Sequence, residues 1–139
     1  MTKHGLQELE WQMTLPMAVA RYDDLRLRHS MSELNVRELG TSPTMNSAEL
    51  LEVLSLAEVI RRKAEYGLQL VVRSALRAGT AWREIASAQE ITPQEAWDRF
   101  ETWVRQQEAQ YRDADHQGWD PEEAAQHRRL AGARPVFTT

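Results

Sequence analysis

The stretch from Ala81 to Phe100, which reads AWREIASAQEITPQEAWDRF, has the spacing of two short helices joined by a tight turn. Apolar and small residues stand on both sides of that turn, at Ile85, Ala86, Ile91 and Ala96. Such residues lock two consecutive helices at a steep angle, because a small side chain in the first helix lets the second one cross closely. This pattern predicts a helical domain built around the pair.

The second helix of the pair carries two independent start signals. Thr92 stands where an N-cap hydroxyl accepts a hydrogen bond from the first turn, and Pro93 fills the first helical position, where a missing N–H costs nothing. Upstream, Gly79 is expected to follow the last turn of the preceding helix as its C′ glycine. The sequence therefore predicts where one helix ends and another begins.

Seven residues match the pattern G-x-x-W-x-E-I-A, three residues, G-V-S/T: Gly79, Trp82, Glu84, Ile85, Ala86, Ile91 and Thr92. On these residues the segment from Arg73 to Trp103 resembles the helix-turn-helix of the sigma-factor region 4 type and of small actinobacterial transcriptional regulators. The resemblance implies a bacterial protein that binds double-stranded DNA, with the second helix of the motif in the major groove.

Two features depart from the family pattern. Glu90 stands where the family usually has the glycine of the turn, so either the turn is of another kind or the chain tolerates strain there. The second helix also carries acidic residues, at Glu95, Asp98 and Glu101, where a DNA reader more often has Arg, Lys or Asn. The acidic helix favours an alternative in which the same fold binds a protein.

The resemblance places candidate DNA contacts on both motif helices and on the helix before them. Arginines would bind phosphates, and Gln94 could read an adenine through two hydrogen bonds. The full predicted set is Arg73, Arg77, Arg83, Thr92, Gln94, Trp97, Asp98 and Arg99. The alternative for the arginines is an ordinary solvated or ion-paired role. Trp82, Trp97 and Trp103 could stack on bases, but core positions explain them better, with Trp97 as a partly exposed exception.

Composition narrows the function classes. The 139 residues contain no cysteine, which excludes disulfides, thiol nucleophiles and cysteine metal sites. The net charge of −4 is not that of a strong nonspecific nucleic-acid binder, yet Arg61 to Arg112 is mildly positive between acidic flanks. His116 with Asp113 and Asp115 could hold a metal or move a proton, or be a solvated helix end. We expect no catalytic residue, no metal and no cofactor.

The rest of the chain predicts an all-α helical bundle in three segments. Residues 1–45 are an N-terminal arm or helix with a linker: Leu6 to Leu15 is a short strand or arm, Pro16 to His29 a helix, and Ser30 to Met45 a loop. Residues 46–115 are the helix-turn-helix domain with a long preceding helix, capped by Ser47. Residues 116–139 are a short helix and a frayed tail.

The long helix has two possible forms. It either runs unbroken to Ala78 or bends at Gly67 into two helices. An unbroken helix would exceed the width of so small a domain, which suggests a homodimer. With no apolar run long enough for a membrane span or a signal peptide, we expect a cytoplasmic, nucleoid-associated regulator. The alternative is a helix-turn-helix-fold partner of a sigma factor, an antitoxin or another regulator, which would bind through Trp97 and the acidic helix.

Overall fold

The protein is all-helical in its computed structural model, which describes residues 3–40, 45–113 and 117–136. Six helices make up the described chain, and it contains no strand. They are α1 (Lys3–Gln12), α2 (Leu15–Leu39), α3 (Ser47–Arg77), α4 (Trp82–Gln89), α5 (Pro93–Asp113) and α6 (Pro121–Ala131). This architecture confirms the predicted fold class. No helix among the described residues is both long and apolar enough to cross a membrane.

The N-terminal region is more helical than predicted. Residues 6–15, interpreted as a strand or arm, lie mostly in α1, and α2 continues ten residues beyond the predicted end at His29. The predicted loop is therefore wrong over 30–39, and its central G-T-S-P-T run falls largely outside the described residues. Apolar residues occur on two sides of α2, among them the fully buried Leu25 and the exposed Leu27. A helix without a single polar side gives no clear periodicity, which hid its length.

Helix α3 begins at Ser47, so its N-cap is the residue before, Asn46. Asn46 is the N-cap, since its Oδ1 accepts a hydrogen bond from the Glu49 amide at 3.0 Å and its own amide donates to the Glu49 carboxylate at 3.4 Å. This reciprocal pair is a capping box, so the prediction of Ser47 as the cap is wrong by one position. The helix runs unbroken through Gly67 and ends as predicted before Gly79, which has a φ of 85°.

The chain divides into two compact units, residues 1–65 and 66–139, a different division from the three predicted segments. The N-terminal unit has a small core of Ala18, Leu25, Met45, Leu56 and Val59. Each half of α3 packs within its own unit. The ends of this long helix thus find partner surfaces inside the chain, and its length alone no longer argues for a homodimer.

The C-terminal unit has a larger, aromatic core. Phe100 and Trp103 of α5 lie at its centre, and Trp103 meets Trp119 edge-on with ring centroids 4.7 Å apart. The Trp119 segment is held against α5 by its amide, which donates to the carbonyl of Gln107 at 3.0 Å. Trp82 and Trp103 are therefore core residues, as the preferred interpretation had them, and every predicted site residue lies in this unit.

Candidate nucleic-acid interface

Helices α4 and α5 are joined by the short turn that the sequence predicts. Glu90 takes the left-handed conformation, with φ 56° and ψ 40°, and its amide donates to the carbonyl of Ser87 at 3.1 Å. The amide of Ile91 reaches back to the carbonyl of Ala86 at 3.1 Å. These bonds satisfy the last carbonyls of α4 as a C-terminal cap does. Of the two possibilities for Glu90, the structure has the strained one. Glu90 adopts the left-handed conformation that the motif usually gives to glycine.

Thr92 caps α5 as predicted. Its Oγ1 accepts a hydrogen bond from the amide of Glu95 at 3.1 Å, and its carbonyl accepts from the amide of Ala96 at 3.0 Å. The residue is exposed, but its hydroxyl is engaged by the first turn of the helix. Thr92 therefore orients α5, and its exposed hydroxyl, which accepts one hydrogen bond from the helix, keeps its O–H to donate to a ligand.

Gln94 is 5% exposed, which contradicts its prediction as a base-reading residue. Its Oε1 is buried and accepts no hydrogen bond within the described residues. A side chain at the second position of α5 can be buried against the rest of the domain instead of facing solvent, and here it is. Reading an adenine would require this amide to leave the interior, so Gln94 belongs to the packing of the motif.

Trp97 is half-buried and packs against the aromatic core. Its Nε1 donates to the carbonyl of Gly132 at 3.1 Å, while Trp82 Nε1 donates to the carbonyl of Ala131 at 2.8 Å. Two indoles thus satisfy carbonyls at the C-terminal end of α6, which have no partner within the helix. Trp97 is engaged within the chain, and the prediction that it forms a contact surface does not fit this role.

Asp98 is ion-paired with a residue that the sequence interpretation left in a frayed tail. Arg134 Nε lies 2.9 Å from Oδ1 of Asp98, and its Nη2 lies 3.0 Å from Oδ2. This two-point hydrogen bond lowers the pKa of the Asp98 carboxyl and raises that of the Arg134 guanidinium. Residues 132–134 consequently lie on α5, and the frayed-tail prediction is wrong for them.

A second arginine that the sequence interpretation missed neutralises more of α5. Arg128 of α6 contacts the carboxylates of Glu101, at 3.1 Å, and of Glu108. Hydrogen bonding to Arg128 lowers the pKa of Glu108. The signal in the sequence was an arginine in the last turn of α6 and an acidic helix for it to pair with. It could be read only after the packing of α6 on α5 was known.

Arg73 is partly buried between α3 and α6. Its Nη1 lies 3.5 Å from Nε2 of His127, and its Nε has no acceptor within the described residues. His127 is itself fixed, because its Nδ1 donates to the carbonyl of Glu123 at 2.7 Å and its ring stacks on Trp119 with centroids 3.8 Å apart. Arg73 thus contributes mainly to packing, and its contact with a phosphate stays a prediction.

The side chains of Arg77, Arg83 and Arg99 are exposed and make no ion pair or hydrogen bond with the described residues. Arg77 lies in the last turn of α3 and borders a pocket of about 200 Å³ with Gln126, His127 and Leu130. Arg83 lies in the first turn of α4, and Arg99 in the second turn of α5. These three are the members of the predicted set whose charge is free to meet a ligand.

No group of three or more His, Asp or Glu side chains within the described ranges is arranged to hold a metal ion. The sequence candidate at Asp113, Asp115 and His116 falls largely on residues 114–116, which lie outside the described part of the chain. Comparison of the chain with protein-family models, with curated proteins and with solved structures finds no match. The helix-turn-helix resemblance therefore stands on the residues of the motif alone.

Proposed function

We propose that the C-terminal unit binds double-stranded DNA as a bacterial transcriptional regulator, with Arg77, Arg83 and Arg99 as its main cationic contacts. The observation that carries this proposal is the pairing state of the arginines. Within the described residues, every other arginine lies within hydrogen-bonding or ion-pairing distance of a carboxylate or a histidine. The three that do not are all in the motif or directly before it.

Free guanidinium groups are what a phosphate backbone requires. A paired arginine must give up its carboxylate before it neutralises a phosphate, whereas an unpaired one releases counterions from the DNA at no such cost. In helix-turn-helix proteins the first helix crosses the backbone and the N-terminal part of the second lies in the major groove. Arg83, at the start of α4, suits a phosphate contact. Arg99, in the second turn of α5, suits a guanine edge.

The acidic side chains of α5 oppose DNA binding less than the sequence suggests. Asp98 and Glu101 are each bonded to an arginine from the C-terminal part of the chain. Their charges are thus largely balanced before any DNA approaches, which leaves Glu95 as the acidic residue of the first turns without such a partner. The competing function, a protein-binding module using Trp97 and the acidic helix, relied on side chains that are engaged within the chain.

The proposed regulator acts in the cytoplasm on the nucleoid, as a homodimer on a site with two half-sites. Its specificity rests mainly on Arg99, since Gln94 is buried and Asp98 is paired. With one strong base contact per protomer, we expect a short and degenerate half-site. Each bidentate contact between a side chain and a base disfavours the wrong base by only about 1–3 kcal/mol.

Selection from random-sequence duplex DNA at physiological salt tests the proposal. We expect the wild-type chain to enrich a site containing a G·C pair in each half, and the Arg99→Gln variant to lose that preference. The matched control is Arg112→Gln, which removes another exposed positive charge of α5, one whose guanidinium lies 3.7 Å from the adjacent Asp113. If wild type and Arg99→Gln enrich the same site, the assignment of Arg99 as a base contact is contradicted. If the wild type enriches no site, sequence-specific binding is contradicted.

A further inference from the structure

Helix α2 presents an apolar stripe to solvent on the side opposite its buried residues. Leu27, Met31 and Leu34 are 62%, 55% and 47% exposed. Their spacing of four and then three residues places them on one face of the helix. Ala18 and Leu25, in contrast, are fully buried in the core of the N-terminal unit. The stripe thus has no function in the packing of its own unit.

The amount of apolar surface is large for so small a unit. Among the described residues of the N-terminal unit, ten large apolar side chains are more than a third exposed, led by Trp11 at 78%. Together they leave on the order of 1,000 Å² to solvent over α1, α2 and α3, and the three stripe residues contribute on the order of 300 Å² of it, the size of the largest apolar patch of a typical monomer, about 300–600 Å². A patch of this size is often an interaction site, so the stripe suits a contact with another chain.

The edge of the stripe is self-complementary in charge. Asp23, Ser30 and Arg37 follow each other at seven-residue intervals along one edge of α2, so two copies crossing antiparallel near Ser30 place each Asp23 beside the partner's Arg37. Asp23 has no ion pair within the described residues, and Arg37 contacts only the neighbouring Glu38, at 3.7 Å. A two-fold interface requires this kind of match, in which one patch complements itself.

The geometry points to a second copy of this chain as the occupant: we infer that two chains associate antiparallel through the outer faces of α2. Leu27 of each copy then packs against the partner's Leu34, the two Met31 side chains meet near the two-fold axis, and two Asp23–Arg37 pairs flank the apolar contact. This inference rests on the homodimer of the proposed function and names its surface. It does not depend on DNA binding, because the stripe lies in the N-terminal unit and the candidate DNA contacts lie in the other one.

Sedimentation equilibrium of the full chain without DNA tests the inference. We expect a dimer for the wild type and a dissociation constant raised at least tenfold by Met31→Lys, since a buried lysine would oppose the interface. Leu54→Lys is the control: Leu54 is 65% exposed on α3, so the same change there should leave the dimer intact. Circular dichroism checks that each variant keeps its helices. A monomeric wild type, or equal effects of the two lysines, would overturn the inference and assign the stripe to another protein.

A charge exchange tests the antiparallel register. Asp23→Arg and Arg37→Asp should each weaken the dimer severalfold, because each brings like charges together at both ends of the interface. The double variant restores both pairs and should recover the wild-type dissociation constant. Additive weakening in the double variant would overturn the register. DNA affinity is measured on the same proteins with single half-sites, so that loss of DNA binding and loss of dimerisation are told apart.

Discussion

Arg134 donates two hydrogen bonds to the carboxylate of Asp98, from Nε to Oδ1 at 2.9 Å and from Nη2 to Oδ2 at 3.0 Å, although the two residues are 36 positions apart in the chain. Directly beside this pair, the Gly132 carbonyl accepts a hydrogen bond from the indole of Trp97. The segment after α6 is thus bonded to two consecutive residues of α5. Its arginine brings positive charge to a helix whose own sequence is acidic.

The Asp98 carboxyl should titrate below its ordinary pKa of 3.8, because Arg134 donates hydrogen bonds to its charged form. The pair's contribution to stability is therefore complete above that ordinary value and is lost as pH falls through the lowered one. A carboxyl-carbon NMR titration measures the shift, and Arg134→Gln should return the pKa of Asp98 toward the ordinary value. An unchanged midpoint in that variant would show that Arg134 does not hold the carboxylate in solution.

Glu90 should be replaceable by glycine with a gain in stability. The left-handed conformation costs a residue with a Cβ roughly 1–2 kcal/mol, a cost that glycine avoids. Glycine also gives the unfolded chain more conformational entropy, which cancels part of this gain in stability. We expect Glu90→Gly to raise the free energy of unfolding by about 1 kcal/mol in urea titrations. Ala88→Gly, inside α4, should lower it by a similar amount, because there glycine only loses helix propensity. Destabilisation by both changes would mean that Glu90 is not left-handed.

Gln94 should matter for stability and not for DNA. Gln94→Met keeps the volume of the side chain and removes a buried oxygen that accepts no hydrogen bond within the described residues. We expect unchanged DNA affinity and a free energy of unfolding that is higher by about 1 kcal/mol. Fluorescence anisotropy with labelled duplex measures the affinity. A clear loss of DNA affinity with stability unchanged would restore Gln94 to the base-reading set.

Gly118 is fixed by a close approach of two backbone segments. Its φ is 90°, and a Cβ built there would lie 2.3 Å from the carbonyl oxygen of Gln107. Gly118→Ala should therefore cost more than about 2 kcal/mol of folding free energy, through both strain and steric clash. Gly67→Ala, in α3 with nothing near its Cβ position, should instead gain roughly 0.5–1 kcal/mol. Equal stability of Gly118→Ala and wild type in urea would contradict the close approach.

Local signals in the sequence predicted several helix boundaries correctly. Thr92 followed by Pro93 starts α5 as predicted, with the Thr92 side chain accepting a hydrogen bond from the amide of Glu95. Asp120 followed by Pro121 starts α6 by the same rule, with the Asp120 side chain accepting from the amide of Glu123. Caps act within a few residues, so the sequence contains all the information they need. The position of the turn was likewise predicted from the neighbours of Glu90, whereas its left-handed conformation was one of two open possibilities, because Glu90 stands where the motif has glycine.

Contacts between distant segments were beyond the reach of the sequence. Nothing near Arg134 indicates that it bonds to Asp98, and nothing near Gln94 indicates that its amide turns inward. Both depend on how α4, α5 and α6 pack. The true length of α2 was missed for a related reason: a helix with apolar residues on two sides lacks the periodicity by which amphipathic helices are recognised. That same property exposes the stripe through which we infer dimerisation.

The salt dependence of DNA binding tests the central claim most directly. Each phosphate contact adds about 0.9 to the slope of log affinity against log salt. Replacing Arg77, Arg83 and Arg99 by Gln should therefore flatten the slope, whereas replacing Arg105, Arg112 and Arg129, which are ion-paired in the same unit, should change it little. The two triple variants have equal net charge. Equal slopes for the two variants would contradict the account, because DNA would then respond to total charge and not to the three free arginines.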